Sequence, residues 1–172
     1  MKRALRSPME SGSGGMPPKP AAKAKDGGPE RVQKQLKVLI IDDISSIRRS
    51  VCRMVKSKGV AAEDISQAEN GEEGLRKILA GDFDLIITDN NMPNMDGQNL
   101  VKLLAEEGRG EIVDKIVLQS AECAAIKTEV RALLRGRVLE KMEARAEIMD
   151  LTKHLMQGGA VKDWIPSTEE IY

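Results

Sequence analysis

Residues 36–43 read LKVLIIDD, and residues 83–97 read FDLIITDNNMPNMDG. Each stretch contains a short, uninterrupted apolar run, Val38 to Ile41 in the first and Leu85 to Ile87 in the second. Such a run is typical of a strand covered on both faces in a parallel sheet. Asp42 and Asp43 follow the first run, and Asp89 follows the second. Because open α/β sheets bind their ligands beyond the carboxyl ends of the strands, we expect these three carboxylates to converge at one edge.

The rest of the chain from Leu36 onward alternates short apolar runs with helical patterns. Such alternation predicts an α/β fold, a doubly wound parallel sheet of five strands with five helices and right-handed crossovers. The predicted strands cover residues 37–41, 64–69, 84–88, 115–119 and 137–140. The first predicted helix ends near Gly59, and the third includes residues 100–104. The second, fourth and fifth cover residues 71–80, 126–134 and 144–156.

Three carboxylates at one sheet edge carry a chemical implication of their own. Like charges at short range resist joint ionisation unless a cation neutralises them. Hard oxygen ligands suit Mg²⁺, which is commonly held by one or two carboxylates together with phosphate oxygens. The simplest interpretation is a magnesium and phosphoryl site.

The composition divides the 172 residues into three parts. Residues 1–35 are rich in Pro, Gly, Ala and Lys and carry eight Lys/Arg against three Asp/Glu, which predicts a disordered basic tail. Residues 36–157 form the predicted folded domain. Residues 158–172 form a short C-terminal tail, whose Trp164 either packs back on the domain or belongs to a docking segment.

Several functional classes are disfavoured. Phe83, Trp164 and Tyr172 are the only aromatic residues, so no stacking platform for bases is expected. No apolar run approaches the roughly 18 residues needed to span a membrane, and no signal-peptide core is present, so we expect a cytoplasmic protein. No G-x-G-x-x-G motif follows the first strand, which disfavours a dinucleotide enzyme. The adjacent Asp42-Asp43 pair lacks the spacing of a haloacid-dehalogenase-type phosphatase.

Residues 36 to about 157 resemble the receiver domain of two-component response regulators, a flavodoxin-like, CheY-like fold. The resemblance rests on Asp42-Asp43 after strand one, Asp89 within TDNNMPNMDG after strand three, Ser120-Ala121 after strand four and Lys141 after strand five. Each motif falls at the expected strand end. Asp96, in the turn before the next helix, is expected to have no catalytic role.

The resemblance implies a role for each matched residue. Asp89 would accept a phosphoryl group from a phosphohistidine, and Ser120 and Lys141 would contact the phosphoryl oxygens. Residues two positions after the acceptor and two after the serine would tune hydrolysis of the acyl phosphate. The implied magnesium ligands are Asp42, Asp43, Asp89 and the backbone carbonyl of Asn91, and the tuning residues are Asn91 and Glu122.

The resemblance also implies partners. The expected phosphoryl donor is a histidine kinase or a histidine phosphotransfer protein, and the output is expected to pass to a downstream target protein. Too few residues follow the last helix for a DNA-binding helix-turn-helix, so we expect no direct DNA binding. We therefore predict a stand-alone receiver that catalyses only its own phosphorylation and dephosphorylation.

Two positions depart from the family pattern. Met142 stands where a cis-proline usually follows the lysine, so we consider a trans peptide at this position. Val138 stands at the usual position of the switch aromatic, which rules out an aromatic rotamer flip there. These departures leave open an alternative, a receiver-fold interaction module that acts independently of phosphorylation.

Overall fold

The computed structural model describes residues 35–167. The predicted disordered tail, residues 1–35, therefore lies outside the described residues except for Gln35, and so do the last five residues of the C-terminal tail. Within the described part, five parallel strands form one sheet in the order β2-β1-β3-β4-β5. The strands are β1 Val38–Ile41, β2 Ile65–Ala68, β3 Leu85–Asp89, β4 Ile116–Ser120 and β5 Val138–Glu140.

The predicted fold class is confirmed, with one correction to the helices. The sequence predicts five helices, whereas six α-helices occur in residues 35–167. The unexpected one, α4, has only four residues, too few to show a helical period in the sequence. The helices are α1 Ser45–Ser57, α2 Gly71–Ala80, α3 Gly97–Glu106, α4 Gly110–Val113, α5 Thr128–Leu134 and α6 Ala144–Met156.

Two apolar clusters cover the two faces of the sheet. Strand β1 contributes to both, since Val38 and Ile40 belong to one cluster and Leu39 and Ile41 to the other. The first cluster includes buried apolar residues of α1 and α6, and the second those of α2, α3, α4 and α5. Coverage on both faces explains why β1 and β3 read as continuous apolar runs rather than alternating ones.

The chain returns along α6 after that helix ends. A 3₁₀ turn at Val161–Asp163 leads into Trp164, which is buried in the α1/α6 cluster. The Trp164 indole N–H donates to Asp150 Oδ2 at 3.1 Å, and the Ser167 N–H donates to Glu147 Oε2 at 3.1 Å. Of the two alternatives considered for this tail, packing against the domain is what residues 158–167 adopt.

In the part of the chain that the structure describes, the helices are too short or too polar to cross a lipid bilayer.

Candidate functional site

Strand register brings the predicted site residues to one edge of the sheet. Ile41 pairs with Thr88, so Asp42 and Asp89 both come next along their strands. Asp89 pairs with Gln119, and Ser120 pairs with Glu140, so Ser120 and Lys141 lie at the same edge. The sheet thus gathers the ends of β1, β3, β4 and β5, although long stretches of sequence separate them.

Lys141 pairs with two of the acidic residues. Its ammonium is 2.9 Å from Asp89 Oδ2 and 3.2 Å from Asp42 Oδ2. The side chains of Asp42 and Asp89 are only 2% and 3% exposed, whereas Asp43 is exposed. One carboxylate oxygen from each of Asp42, Asp43 and Asp89 lies within 4.8 Å of the others. The Lys141 ammonium therefore pairs with two members of a cluster of three carboxylates.

The surroundings shift the protonation equilibria of Asp89 and Lys141 in the same direction, toward the protonated form. Burial raises the pKa of the Asp89 carboxyl above its usual range, the nearby Asp42 carboxylate adds to the rise, and the Lys141 ammonium only partly opposes it. Burial alone would lower the pKa of Lys141, but the carboxylates of Asp89 and Asp42 outweigh it and raise that pKa. Lys141 is therefore held as a cation, while ionised Asp89 is disfavoured.

The end of β4 supplies a hydroxyl to the same edge. Ser120 is fully buried, and its backbone carbonyl accepts the Lys141 N–H at 2.9 Å. Its Oγ accepts the Glu122 N–H at 3.1 Å. The serine is thereby fixed to the residue beside it and to the lysine on the neighbouring strand.

The loop after β3 is shaped by its polar and glycine residues. Asp96 caps α3 by accepting the Asn99 N–H at 2.7 Å, which fits its expected structural role. Gly97 packs so closely that an added Cβ would lie 2.4 Å from the Asp89 carbonyl oxygen. Asn91, in this loop, and Glu122, after β4, both have exposed side chains.

The donor set fits a divalent cation such as Mg²⁺. The cluster offers carboxylate oxygens, the ligands that hard cations prefer. Asp42 Oδ2 is buried and makes no hydrogen bond within the described residues, although the Lys141 ammonium pairs with it by charge. An oxygen of this kind has lone pairs to give to a metal.

The structure also shows the surroundings of Met142 and Val138, the two residues that depart from the family pattern. The described peptide bonds contain no cis bond, so the peptide between Lys141 and Met142 is trans. The Met142 side chain is 91% exposed and follows directly on the lysine of the site. Val138 is half-buried and packs against the cluster beneath α2, α3 and α5.

One residue of this edge was missed from the sequence. Arg48, in α1, is buried and donates a hydrogen bond to the backbone carbonyl of Asp42. In the sequence it is one of several arginines in an amphipathic helix. The hydrophobic period of α1 places Arg48 next to the buried stripe of the helix. This position was the feature of the sequence that could have indicated its burial.

Comparisons with known proteins agree with this geometry. The family model described as "Response regulator receiver domain" matches residues 38–153. The chemotaxis protein CheY-3 of Vibrio cholerae is 30% identical over 114 residues, which cover 66% of this chain and 86% of that protein. The receiver domain of the Francisella response regulator 1452 has a TM-score of 0.58 at 25% identity, covering 72% of this chain and 98% of that one.

A third comparison supports the fold alone. The Thermotoga maritima response regulator TrrA, solved in complex with Mg²⁺ and beryllofluoride, has a TM-score of 0.55 at 23% identity. The match covers 69% of this chain and 99% of that one. Since the family model spans well over half of the 172 residues, this chain belongs to the response regulator receiver domain family of two-component signalling.

Proposed function

We propose that this protein accepts a phosphoryl group on Asp89 from a phosphohistidine in a partner and passes the signal on as a stand-alone receiver. The observation that carries the proposal is the Lys141 ammonium between the buried carboxylates of Asp42 and Asp89, with Asp43 completing the acidic cluster. One ammonium cannot neutralise three clustered carboxylates, so this group of residues suits a further cation.

In the transfer step, a carboxylate oxygen of Asp89 attacks the phosphorus, a P–O bond forms and the P–N bond breaks. The leaving imidazole nitrogen keeps the electron pair of that bond. Asp42, Asp43, Asp89 and the Asn91 carbonyl would hold Mg²⁺, whose charge offsets the repulsion between the attacking carboxylate and the phosphoryl group. The protein contributes mainly positioning and fixed charge.

The remaining residues act on the phosphoryl oxygens. Once Asp89 is phosphorylated, the Lys141 ammonium pairs with a phosphoryl oxygen instead of the Asp89 oxygen. The Ser120 hydroxyl donates to another phosphoryl oxygen. Asn91 and Glu122 have exposed polar side chains at the mouth of the site, and we assign them to orienting the water that hydrolyses the acyl phosphate. This assignment predicts a phosphoaspartate that decays without a phosphatase; persistence for many hours in magnesium buffer contradicts it.

The partners follow from this reaction. The donor is a histidine kinase or a histidine phosphotransfer protein, and the output is passed to a target protein in the cytoplasm. The protein's own catalysis is limited to gaining and losing its phosphoryl group.

Intact-mass spectrometry tests the proposal directly. The purified protein is incubated with phosphoramidate, a small donor with the same P–N bond as phosphohistidine, in Mg²⁺ or in EDTA. We expect a gain of one phosphoryl group that requires Mg²⁺ and is absent in Asp89→Asn. Exposed Asp163→Asn is the control, since it removes one carboxylate from the C-terminal segment and should leave the modification unchanged.

A second candidate function has specific observations in its favour. The exposed Met142 and the half-buried Val138 replace two residues that usually take part in the family's response. They favour a receiver-fold module that binds its partner without phosphorylation. No mass gain and no beryllofluoride binding in the presence of Mg²⁺ would support this module over the phosphoryl acceptor.

A further inference from the structure

Arg48 is a charged side chain with an unusually buried position. Its side chain is 9% exposed, and its guanidinium reaches three acceptors at the ends of two strands. It donates to the Asp42 carbonyl, to Gln67 Oε1 at 3.3 Å and to Glu69 Oε1 at 3.0 Å. Burying a charge requires such partners. The guanidinium thereby connects α1 to the ends of β1 and β2.

The contacts of Asp42 show what Arg48 fixes. The Asp42 N–H donates to the Ala68 carbonyl at 3.1 Å, and its own carbonyl accepts from Arg48. Asp42 Oδ1 accepts the Ile44 N–H at 2.8 Å. These contacts use every polar atom of Asp42 except Oδ2, the oxygen that faces Lys141 and the acidic cluster.

We propose that Arg48 is a positioning residue for the divalent cation, because it holds the Asp42 backbone so that Oδ2 is presented to the metal. The inference rests on the magnesium site of the proposed function. Arg48 would not touch the metal or the phosphoryl group. Partners of metal ligands commonly determine affinity in this way, and their loss costs roughly 10–100-fold.

A simple electrostatic role predicts the opposite sign. Arg48 is a cation close to the metal ligands, so removing its charge should strengthen binding of Mg²⁺ if charge were its only effect. Positioning predicts weaker binding on the same removal. The sign of the change in Mg²⁺ affinity therefore separates the two roles. An effect on folding stability alone would leave the Mg²⁺ affinity of the folded protein unchanged.

The experiment is a calorimetric Mg²⁺ titration of the full chain with Arg48→Met, Arg48→Lys and wild type. We expect the dissociation constant for Mg²⁺ to rise by roughly tenfold or more in Arg48→Met. Arg48→Lys keeps the charge but loses the fork that reaches three acceptors, so it should also bind more weakly. Arg49→Met is the matched control, because Arg49 is the next residue of α1 and is exposed.

A second measurement separates positioning from damage to the site. With phosphoramidate as donor, the Mg²⁺ concentration for half-maximal modification should rise in Arg48→Lys, while the rate at saturating Mg²⁺ stays near that of wild type. Thermal unfolding of each variant reports whether it is folded. If the Arg48 variants do not fold, Gln67→Met removes one acceptor of Arg48 without a change of charge, and it should weaken Mg²⁺ binding as well.

The outcomes distinguish the two levels of the proposal. If wild type binds Mg²⁺ and the folded Arg48 variants bind it equally well or more tightly, the role of Arg48 is overturned and the proposed function stands. Unchanged binding in Gln67→Met overturns it in the same way when the Arg48 variants do not fold. If wild type binds no Mg²⁺, the proposed function itself fails.

Discussion

Replacing Asp89 with asparagine should stabilise the protein in metal-free buffer, although Asp89 is the proposed phosphoryl acceptor. The substitution keeps the shape of the side chain and removes its charge. The expectation follows from the position of Asp89, which is nearly fully buried between a second buried carboxylate and one ammonium.

The magnitude comes from three Coulomb terms and from the cost of burying the Asp89 charge. Two unit charges interact by 332/(εr) kcal/mol, so at an effective dielectric constant of about 20 the repulsion between Asp42 and Asp89 within 4.8 Å is about 3.5 kcal/mol. The attraction to the Lys141 ammonium at 2.9 Å is about 5.7 kcal/mol on the same basis. Asp43 is exposed, so water and salt screen its contribution to less than about 1 kcal/mol.

The Coulomb terms therefore largely offset each other, and the cost of burying the Asp89 charge, several kcal/mol for a typical ion, decides the sign. The raised pKa of Asp89, caused first by burial, has the same direction. We expect Asp89→Asn to raise the free energy of unfolding by about 2 kcal/mol, which corresponds to a rise in Tm of roughly 4–8 °C for a chain of this size.

The pH dependence provides an internal check. Because folding raises the pKa of Asp89, the folded state holds this proton more tightly than the unfolded state does. The cost of ionised Asp89 is fully present above the raised pKa, and it disappears as the pH falls toward the ordinary carboxyl value. The stability advantage of Asp89→Asn over wild type should therefore shrink on acidification from neutral pH.

The assay is urea and thermal unfolding in EDTA at several pH values, with exposed Asp163→Asn as the charge-matched control. Saturating Mg²⁺ should stabilise wild type more than the variant, because a ligand that binds the folded state adds RT ln(1 + [L]/Kd). The reasoning is refuted if Asp89→Asn is no more stable than wild type at neutral pH in EDTA while Asp163→Asn is unchanged.

Four further changes test other parts of the structure. Lys141→Met removes the ammonium 2.9 Å from Asp89 and should cost about 3–5 kcal/mol in EDTA, measured by urea unfolding, with a smaller loss in the Asp89→Asn background. Trp164→Ala empties a buried site and should lower the unfolding free energy by about 3–5 kcal/mol; a loss below about 1 kcal/mol would contradict the packing of this tail. Gly97→Ala forces a Cβ to 2.4 Å from the Asp89 carbonyl oxygen, so it should destabilise the chain by about 1–3 kcal/mol and slow phosphorylation in the mass assay. Beryllofluoride with Mg²⁺ should change amide hydrogen exchange in residues 121–127, the loop between β4 and α5. Unchanged exchange there would contradict a response to phosphorylation that passes through this loop.

The positions of the acidic residues were predictable because buried parallel strands have a simple signature. A continuous apolar run that ends in a polar residue marks the carboxyl edge, and neighbouring strands share that edge. The runs before Asp42 and Asp89 therefore match strands β1 and β3 to within a residue at each end. The helix predicted over residues 71–80 is α2, and Asn70 caps it by accepting the Glu73 N–H at 2.9 Å.

Features that depend on long-range contacts were not predictable. Helix α4 is one turn long, and its last carbonyl, that of Val113, accepts a hydrogen bond at 3.1 Å from the buried guanidinium of Arg137, 24 residues later. The role of Arg48 similarly depends on Gln67 and Glu69, which meet it only after β1 and β2 pair. No local pattern of residues carries this information.

If Asp89 is phosphorylated as proposed, we expect the response to pass through the loop after β4, because Val138 cannot swing as an aromatic ring would. Val138 is β-branched, with little rotamer freedom, and it is half-buried. The Ser120 hydroxyl oxygen accepts the Glu122 N–H, and it keeps that role if the hydroxyl only turns its hydrogen toward a phosphoryl oxygen. If the side chain rotates so that the oxygen itself moves toward the phosphoryl group, this N–H loses its acceptor, and we then expect the backbone after Ser120 to move. Arg131, in α5, donates to the carbonyls of Cys123 and Ile126 in that loop, so the movement reaches α5 through hydrogen bonds already present.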